Sequence, residues 1–206
     1  MNTLPNILTL SRILVIPLIV GLFWVEGDWA RWTALGLYAV ACITDFFDGY
    51  LARARGEMSR FGRFLDPVAD KLLIAAVLLM LCAFDRISGL AILAAVVILC
   101  REMLVSGLRE FLAELRQGLP VSRLAKWKTT IQMFSLGFLI VGDAAPDWIP
   151  SVLIGEIGLW AAAALTLITG YDYLLIGLKH MKEEPKSETG RKTEPRHPAE
   201  TAHGAE

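Results

Sequence analysis

Histidine is absent from the first 179 residues of this 206-residue chain; its three histidines, His180, His197 and His203, all lie beyond them. That absence excludes a Ser-His-Asp hydrolase or a His-ligated zinc centre in everything upstream, and leaves acid–base and metal work to carboxylates. Cysteine is scarce as well. Cys42, Cys82 and Cys100 stand apart in apolar runs without metal-ligand spacing, so buried packing thiols are expected rather than disulfides. The chain start lacks the positive n-region and small-residue cleavage site of a signal peptide, and Arg12 interrupts its first apolar run, so that run is expected to be a retained helix. Net charge is nearly missing too: 20 Lys and Arg against 21 Asp and Glu give −1. No nucleic-acid partner is expected.

What the chain has in abundance is apolar sequence. Hydrophobic residues make up 55% of it and its mean hydropathy is +0.52, with runs near the ~20 residues a spanning helix needs. The pattern predicts an all-α, polytopic membrane protein with six spans, near Ile7–Val25, Ala30–Leu51, Phe64–Phe84, Ser88–Phe111, Trp127–Val141 and Val152–Leu178. Breaks at Gly27, Gly118–Pro120 and Ala145–Pro150 mark three connections. Arg53, Arg55, Arg60 and Arg63 crowd one connection, and Arg109, Arg116, Arg123, Lys126 and Lys128 another on the same side; the opposite side offers Arg31 and Arg86. Cytoplasmic loops carry such an excess, so both termini are expected in the cytoplasm. Trp24, Trp29, Trp32 and Trp148 fall on the other side, as interface anchors would. A transmembrane domain over 1–180 is expected, followed over 181–206 by a polar, Pro-containing, disordered tail.

Between Asp45 and Asp70 the chain reads DFFDGYLARARGEMSRFGRFLDPVAD, four aspartates beside or inside apolar segments. An intramembrane Asp costs roughly 2.5–3.5 kcal/mol at a helix centre, so such a cluster reads as a functional site near the interface or in a wet cavity. Asp45 and Asp48 stand at i,i+3 and Asp66 and Asp70 at i,i+4, which puts each pair on one helical face, one turn apart. Hard oxygen ligands suit Mg²⁺ or Mn²⁺ rather than zinc, and substrate phosphates readily complete such shells. Gly49 and Ala52 clear side-chain bulk beside the first pair. Pro67 either begins the third helix with Asp66 as its cap or lies within a longer one. Lys71 is a counter-ion for the carboxylates or a snorkelling residue.

Asp45, Asp48, Gly49, Ala52, Arg53, Gly62, Asp66 and Asp70 match a D-x2-D-G-x2-A-R-x8-G-x3-D-x3-D pattern at every spacing, eight fixed positions over 26 residues. The stretch resembles the signature of the CDP-alcohol phosphotransferases. The resemblance implies six transmembrane helices around a polar cavity, opening here to the cytoplasmic side, and transfer of a substituted phosphoryl group from a CDP-linked donor to an alcohol with release of CMP. It further implies that Asp45, Asp48, Asp66 and Asp70 hold two divalent cations, that Asp70 is also the general base, and that Gly49, Ala52, Arg53 and Gly62 serve the nucleotide. PNILTLSR resembles the family's entry to the first helix, where Asn6, Thr9 and Arg12 recur on one face. Alone these would be a helix cap and a snorkelling arginine; beside the aspartates, they are expected to contact nucleotide or phosphate.

Acceptor choice must come from elsewhere. REMLVSGLRE sets Arg101 and Arg109 about two turns apart, and KWKTTIQ adds Lys126 and Lys128. These cations suit an acceptor carrying its own phosphate. Both stretches resemble the family branch that makes phosphatidylglycerophosphate from CDP-diacylglycerol and sn-glycerol 3-phosphate, although Ala125 stands where many relatives have Gly. The plainer reading of Arg109, Lys126 and Lys128 is positive-inside residues or anionic-lipid contacts. Other acceptors would make the chain a cardiolipin, phosphatidylserine or phosphatidylinositol-phosphate synthase of the same fold, and the resemblance also implies a homodimer. A divalent-cation transporter is the alternative from another class; acids crowded at one end, no second DxxD repeat and an arginine-rich rim count against it.

Overall fold

The computed structural model describes residues 4–55, 60–114 and 123–182. They form six α-helices, α1 (Leu4–Leu22), α2 (Asp28–Arg55), α3 (Arg60–Ala83), α4 (Ala91–Glu114), α5 (Arg123–Val141) and α6 (Ser151–Lys182), with a 3₁₀ turn at Gly142–Ala144 and no strand among the described residues. Each corresponds to one expected apolar run. α1 begins at Leu4, so Asn6 lies inside the helix and is not its cap. Pro67 sits well inside α3, which decides for the longer helix; Asp66 is therefore not an N-terminal cap. α6 runs two residues past the expected domain boundary at 180, and the remaining tail lies outside the described residues.

α1 packs between α2 and α3, both of which also meet α5; α6 lies along α5 and against α4. A continuous core of Ile19, Tyr38, Val77, Leu81, Ile98, Leu136, Leu139 and Leu159 runs through the bundle. Close approach of α5 and α6 depends on small residues. A methyl group on Gly155 would stand 2.6 Å from Leu139 Cγ, and one on Gly158 3.0 Å from Ser135 Cβ. In that space Ser135 Oγ donates to Gly155 O at 2.6 Å and Ser151 Oγ to Phe138 O at 2.8 Å, the interhelical hydrogen bonding that apolar surroundings favour.

The outward faces are apolar. Leu14, Leu18, Val40, Leu79, Leu93, Phe134, Ile157 and Leu167 are exposed across all six helices, far more than a soluble domain presents to water. Among the described residues, two stretches are long and apolar enough to cross a bilayer, Ala91–Leu112 with mean hydropathy 2.1 and Ser151–Leu175 with 1.9, and α1 holds a shorter one at Thr9–Leu22. α2, α3 and α5 carry charges that reach up to about three turns in from one end, which shortens their apolar parts. Cysteines 42 and 82 are wholly or partly buried, but Cys100 is exposed, because it lies on the outward face of α4; all three are free thiols.

One end of the bundle gathers the C-termini of α1, α3 and α5 with the N-termini of α2 and α6. Phe84 meets Phe23 and Trp24 with ring centroids 5.6 and 5.2 Å apart. Arg86 lies 4.6 Å over the Phe23 ring and donates to Ile140 O, while Arg31 donates to Val141 O at 3.3 Å and Trp32 to Ala144 O at 3.2 Å. Burial, and then the neighbouring Arg31, pull the Arg86 guanidinium down to about 10 while Asp143 pushes it up, so it stays charged at neutral pH. α3 ends in a reciprocal cap: Asp85 takes φ 56°, Arg86 N–H donates to Leu81 O at 2.9 Å and Asp85 N–H to Cys82 O at 3.2 Å. Glycine usually holds that position because a Cβ crowds the left-handed conformation.

Candidate active site

At the other end, the N-terminal halves of α1, α3 and α5 meet the C-terminal halves of α2, α4 and α6, and every helix supplies a polar or charged group. Arg12 of α1 is fully buried, with Nη1 2.7 Å from Asp45 Oδ1 on α2. A guanidinium left alone there would cost several kcal/mol, so Arg12 is not a snorkelling residue but the partner of the first carboxylate. Thr9, one turn earlier on the same face, is buried as well. Cys42, one turn before Asp45, lies within electrostatic range of Asp45, Asp70 and Arg12. α2 and α3 thus present Asp45 and Asp70 toward a common space with α1 between them. On α3 Lys71 Nζ is 3.0 Å from Asp70 Oδ2, the counter-ion arrangement.

The second half of the site comes from α4, α5 and α6. Lys128 is buried and ion-paired to Glu102, whose carboxylate also lies 3.4 Å from Arg101 Nη1. Arg101 Nη2 donates to Thr169 Oγ1 at 2.8 Å. Gly170 makes that course possible: a Cβ there would come 3.0 Å from Arg101 Cγ. The guanidinium carbons of Arg101 and Arg109 stand 5.6 and 5.9 Å from the ring centroid of buried Tyr173. Lys128 is close enough to Arg101, Asp70 and Lys71 for each to act on its charge. The cations of the second half therefore border Asp70 of the first.

Lys126 and Lys128 part company. Two residues apart on a helix point about 200° apart, and Lys126 is exposed while Lys128 turns inward. Asp48, Gly49, Ala52 and Arg53 lie on the α2 backbone and Gly62 and Asp66 on that of α3, but their side chains, like that of Asn6, fall outside the described residues. The donor set suits a hard divalent cation: Asp45 and Asp70 are both partly open to solvent, and the backbone carries Asp48 and Asp66 within one turn of them. Among the described residues no group of three or more acidic, His or Cys side chains converges.

These two halves, joined at one end of six helices, agree with the wider comparison. A sequence profile for CDP-alcohol phosphatidyltransferases matches residues 2–168. The chain belongs to the CDP-alcohol phosphatidyltransferase family. It is 50% identical over 173 residues to the CDP-diacylglycerol–glycerol-3-phosphate 3-phosphatidyltransferase of Rickettsia typhi, covering 84% of this chain and 96% of that relative. To the protein of the same name from Cereibacter sphaeroides it is 38% identical over 217 residues, covering 88% and 98%. Among solved structures it resembles the crystal structure of Mycobacterium tuberculosis phosphatidylinositol phosphate synthase in complex with manganese and citrate, with TM-score 0.59, 19% identity and coverage of 84% and 82%. That likeness shows a shared fold.

Four residues of this family member escape a reading of the sequence. Glu102 is the second charge, next to Arg101, in an apolar run and so had a visible signal, the need of buried cations for an anion. Thr169, Gly170 and Tyr173 share one face of α6 without charge or motif to mark them, and only their packing against Arg101 and Arg109 reveals them.

Proposed function

We propose that the chain transfers the phosphatidyl group of CDP-diacylglycerol to sn-glycerol 3-phosphate, giving phosphatidylglycerophosphate and CMP, as a CDP-diacylglycerol–glycerol-3-phosphate 3-phosphatidyltransferase. The carrying observation is that Asp70 stands within charge range of Lys128, itself paired with Glu102 beside Arg101, at one end of a chain half identical to a relative of that name. In this reading all six helices span a bacterial inner membrane, both termini and the site face the cytoplasm, the segment beyond 180 is a disordered tail, and the enzyme is a homodimer.

Asp45, Asp48, Asp66 and Asp70 would hold two divalent cations, Mg²⁺ or Mn²⁺. When bound, they supply charge neutralisation on the donor pyrophosphate. Arg12 fixes Asp45, and with Asn6, Thr9, Gly49, Ala52, Arg53 and Gly62 forms the nucleotide side. Arg101, Arg109 and Lys128 receive the acceptor's phosphate, with Lys126 at the rim; Glu102 offsets one of the buried positive charges, which suits a dianionic ligand. The primary hydroxyl of sn-glycerol 3-phosphate attacks the phosphorus bearing the diacylglycerol, its proton passes to Asp70, and the bond to CMP breaks. An apolar cavity of about 410 Å³ between α2 and α5, reaching from Cys42 to Trp32, suits a lipid-linked donor.

The test is CMP release by the purified protein with CDP-diacylglycerol and Mg²⁺ or Mn²⁺, comparing sn-glycerol 3-phosphate with glycerol, serine, inositol phosphate and phosphatidylglycerol. Turnover with sn-glycerol 3-phosphate alone is expected. Turnover with another acceptor would replace the substrate assignment, and metal uptake into vesicles without CMP would point to transport.

A further inference from the structure

We propose that Tyr173 of α6 is a positioning residue for acceptor binding: its ring is the platform on which Arg101 and Arg109 are jointly set. This rests on the acceptor site proposed above and extends it to a helix that carries none of the signature residues.

The geometry leaves the two arginines otherwise differently constrained. Arg101 is tied to Glu102 and Thr169, and its stem lies against Gly170. Arg109 is exposed, two turns along α4. The element they share is Tyr173, with guanidinium carbons 5.6 and 5.9 Å from one ring centroid, within the distance at which an aromatic quadrupole attracts a cation. Tyr173 is itself only 3% exposed, so the platform cannot swing away. Two cations held near one ring repel each other, and a phosphate dianion bridging them relieves that repulsion, so the ring prepays the ordering of two long side chains for the anion. Thr169 is one turn before Tyr173 and grips Arg101 from the same face, so α6 holds the pair at two points.

A merely structural Tyr173 would need only its volume. Ring-face electrostatics separate the two roles without changing shape. Tyr173→Phe serves as reference, and Phe analogues carrying one, two and three ring fluorines at the same position progressively weaken the quadrupole. The KM for sn-glycerol 3-phosphate is expected to rise stepwise, by about three- to tenfold at the third fluorine, with the KM for CDP-diacylglycerol and kcat holding steady. Tyr173→Leu, where it folds, is expected to raise the acceptor KM by about tenfold or more. A flat acceptor KM across the fluorinated series, with normal turnover, overturns the positioning role and leaves the proposed function standing. Failure of the unmodified protein to use sn-glycerol 3-phosphate overturns the proposed function and this role together.

Discussion

Arg86 at one end of the bundle and Arg101 at the other are both half-buried guanidiniums beside an aromatic ring, and their partners differ. Arg86 and Arg31 donate to Ile140 O and Val141 O, last-turn carbonyls of α5, where a cation also meets the negative end of the helix dipole. Those partners are backbone and cannot leave, so the arginines are committed to the fold. Arg101 and Lys128 share the side-chain carboxylate of Glu102, and Arg101 also holds a hydroxyl. Such partners exchange for a phosphate without unravelling a helix. The same residue type is scaffold at one end and site at the other, and what distinguishes the two is whether its anion belongs to the backbone.

That contrast can be broken in graded steps. The largest effect is expected from Asp70→Asn, which removes the proposed base; CMP release should fall about 10³-fold in steady-state assay while the thermal transition in detergent is retained. Glu102→Gln should come next. Leaving Lys128 and Arg101 buried beside a neutral amide should destabilise the protein by about 3 kcal/mol in denaturant titration, and the double variant with Lys128→Met should recover most of it. Arg86→Met should cost about 2 kcal/mol by the same titration, from one charged hydrogen bond and the packing over Phe23, with the acceptor KM unmoved. An increase in acceptor KM from Arg86→Met would erase the division between the ends. The smallest effect is a gain: Asp85→Gly should stabilise by about 1 kcal/mol, because a glycine takes the left-handed cap without the Cβ penalty.

The six helices were legible in the sequence because what marks them is local; of the two carboxylate pairs, only Asp45 and Asp70 have described side chains. Apolar run length and i,i+3 or i,i+4 spacing are properties of consecutive residues, and the helix ends differ from expectation by only a few positions. The roles of Arg31 and Arg86 were not legible as caps, since their carbonyl partners are 110 and 54 residues away and positive charge at a loop has several uses. Lys126 and Lys128 were grouped by proximity although helical geometry already separates them. The pairing of Arg12 with Asp45 was not legible, because it joins residues 33 positions apart that only the packing of α1 on α2 brings together. Pro67 could not be placed from sequence, because a proline at a helix start and one inside a longer membrane helix leave the same local pattern. Tyr173 needed the tertiary fold, as one more aromatic in an apolar helix has no distinguishing spacing.

The most direct test follows both products at once. Purified protein is given CDP-diacylglycerol, a divalent cation and radiolabelled sn-glycerol 3-phosphate, and lipid-bound label is compared with CMP released. The account predicts equal amounts of each from the unmodified protein and almost none from Asp70→Asn. CMP appearing without lipid-bound label, or undiminished transfer by Asp70→Asn, would contradict it.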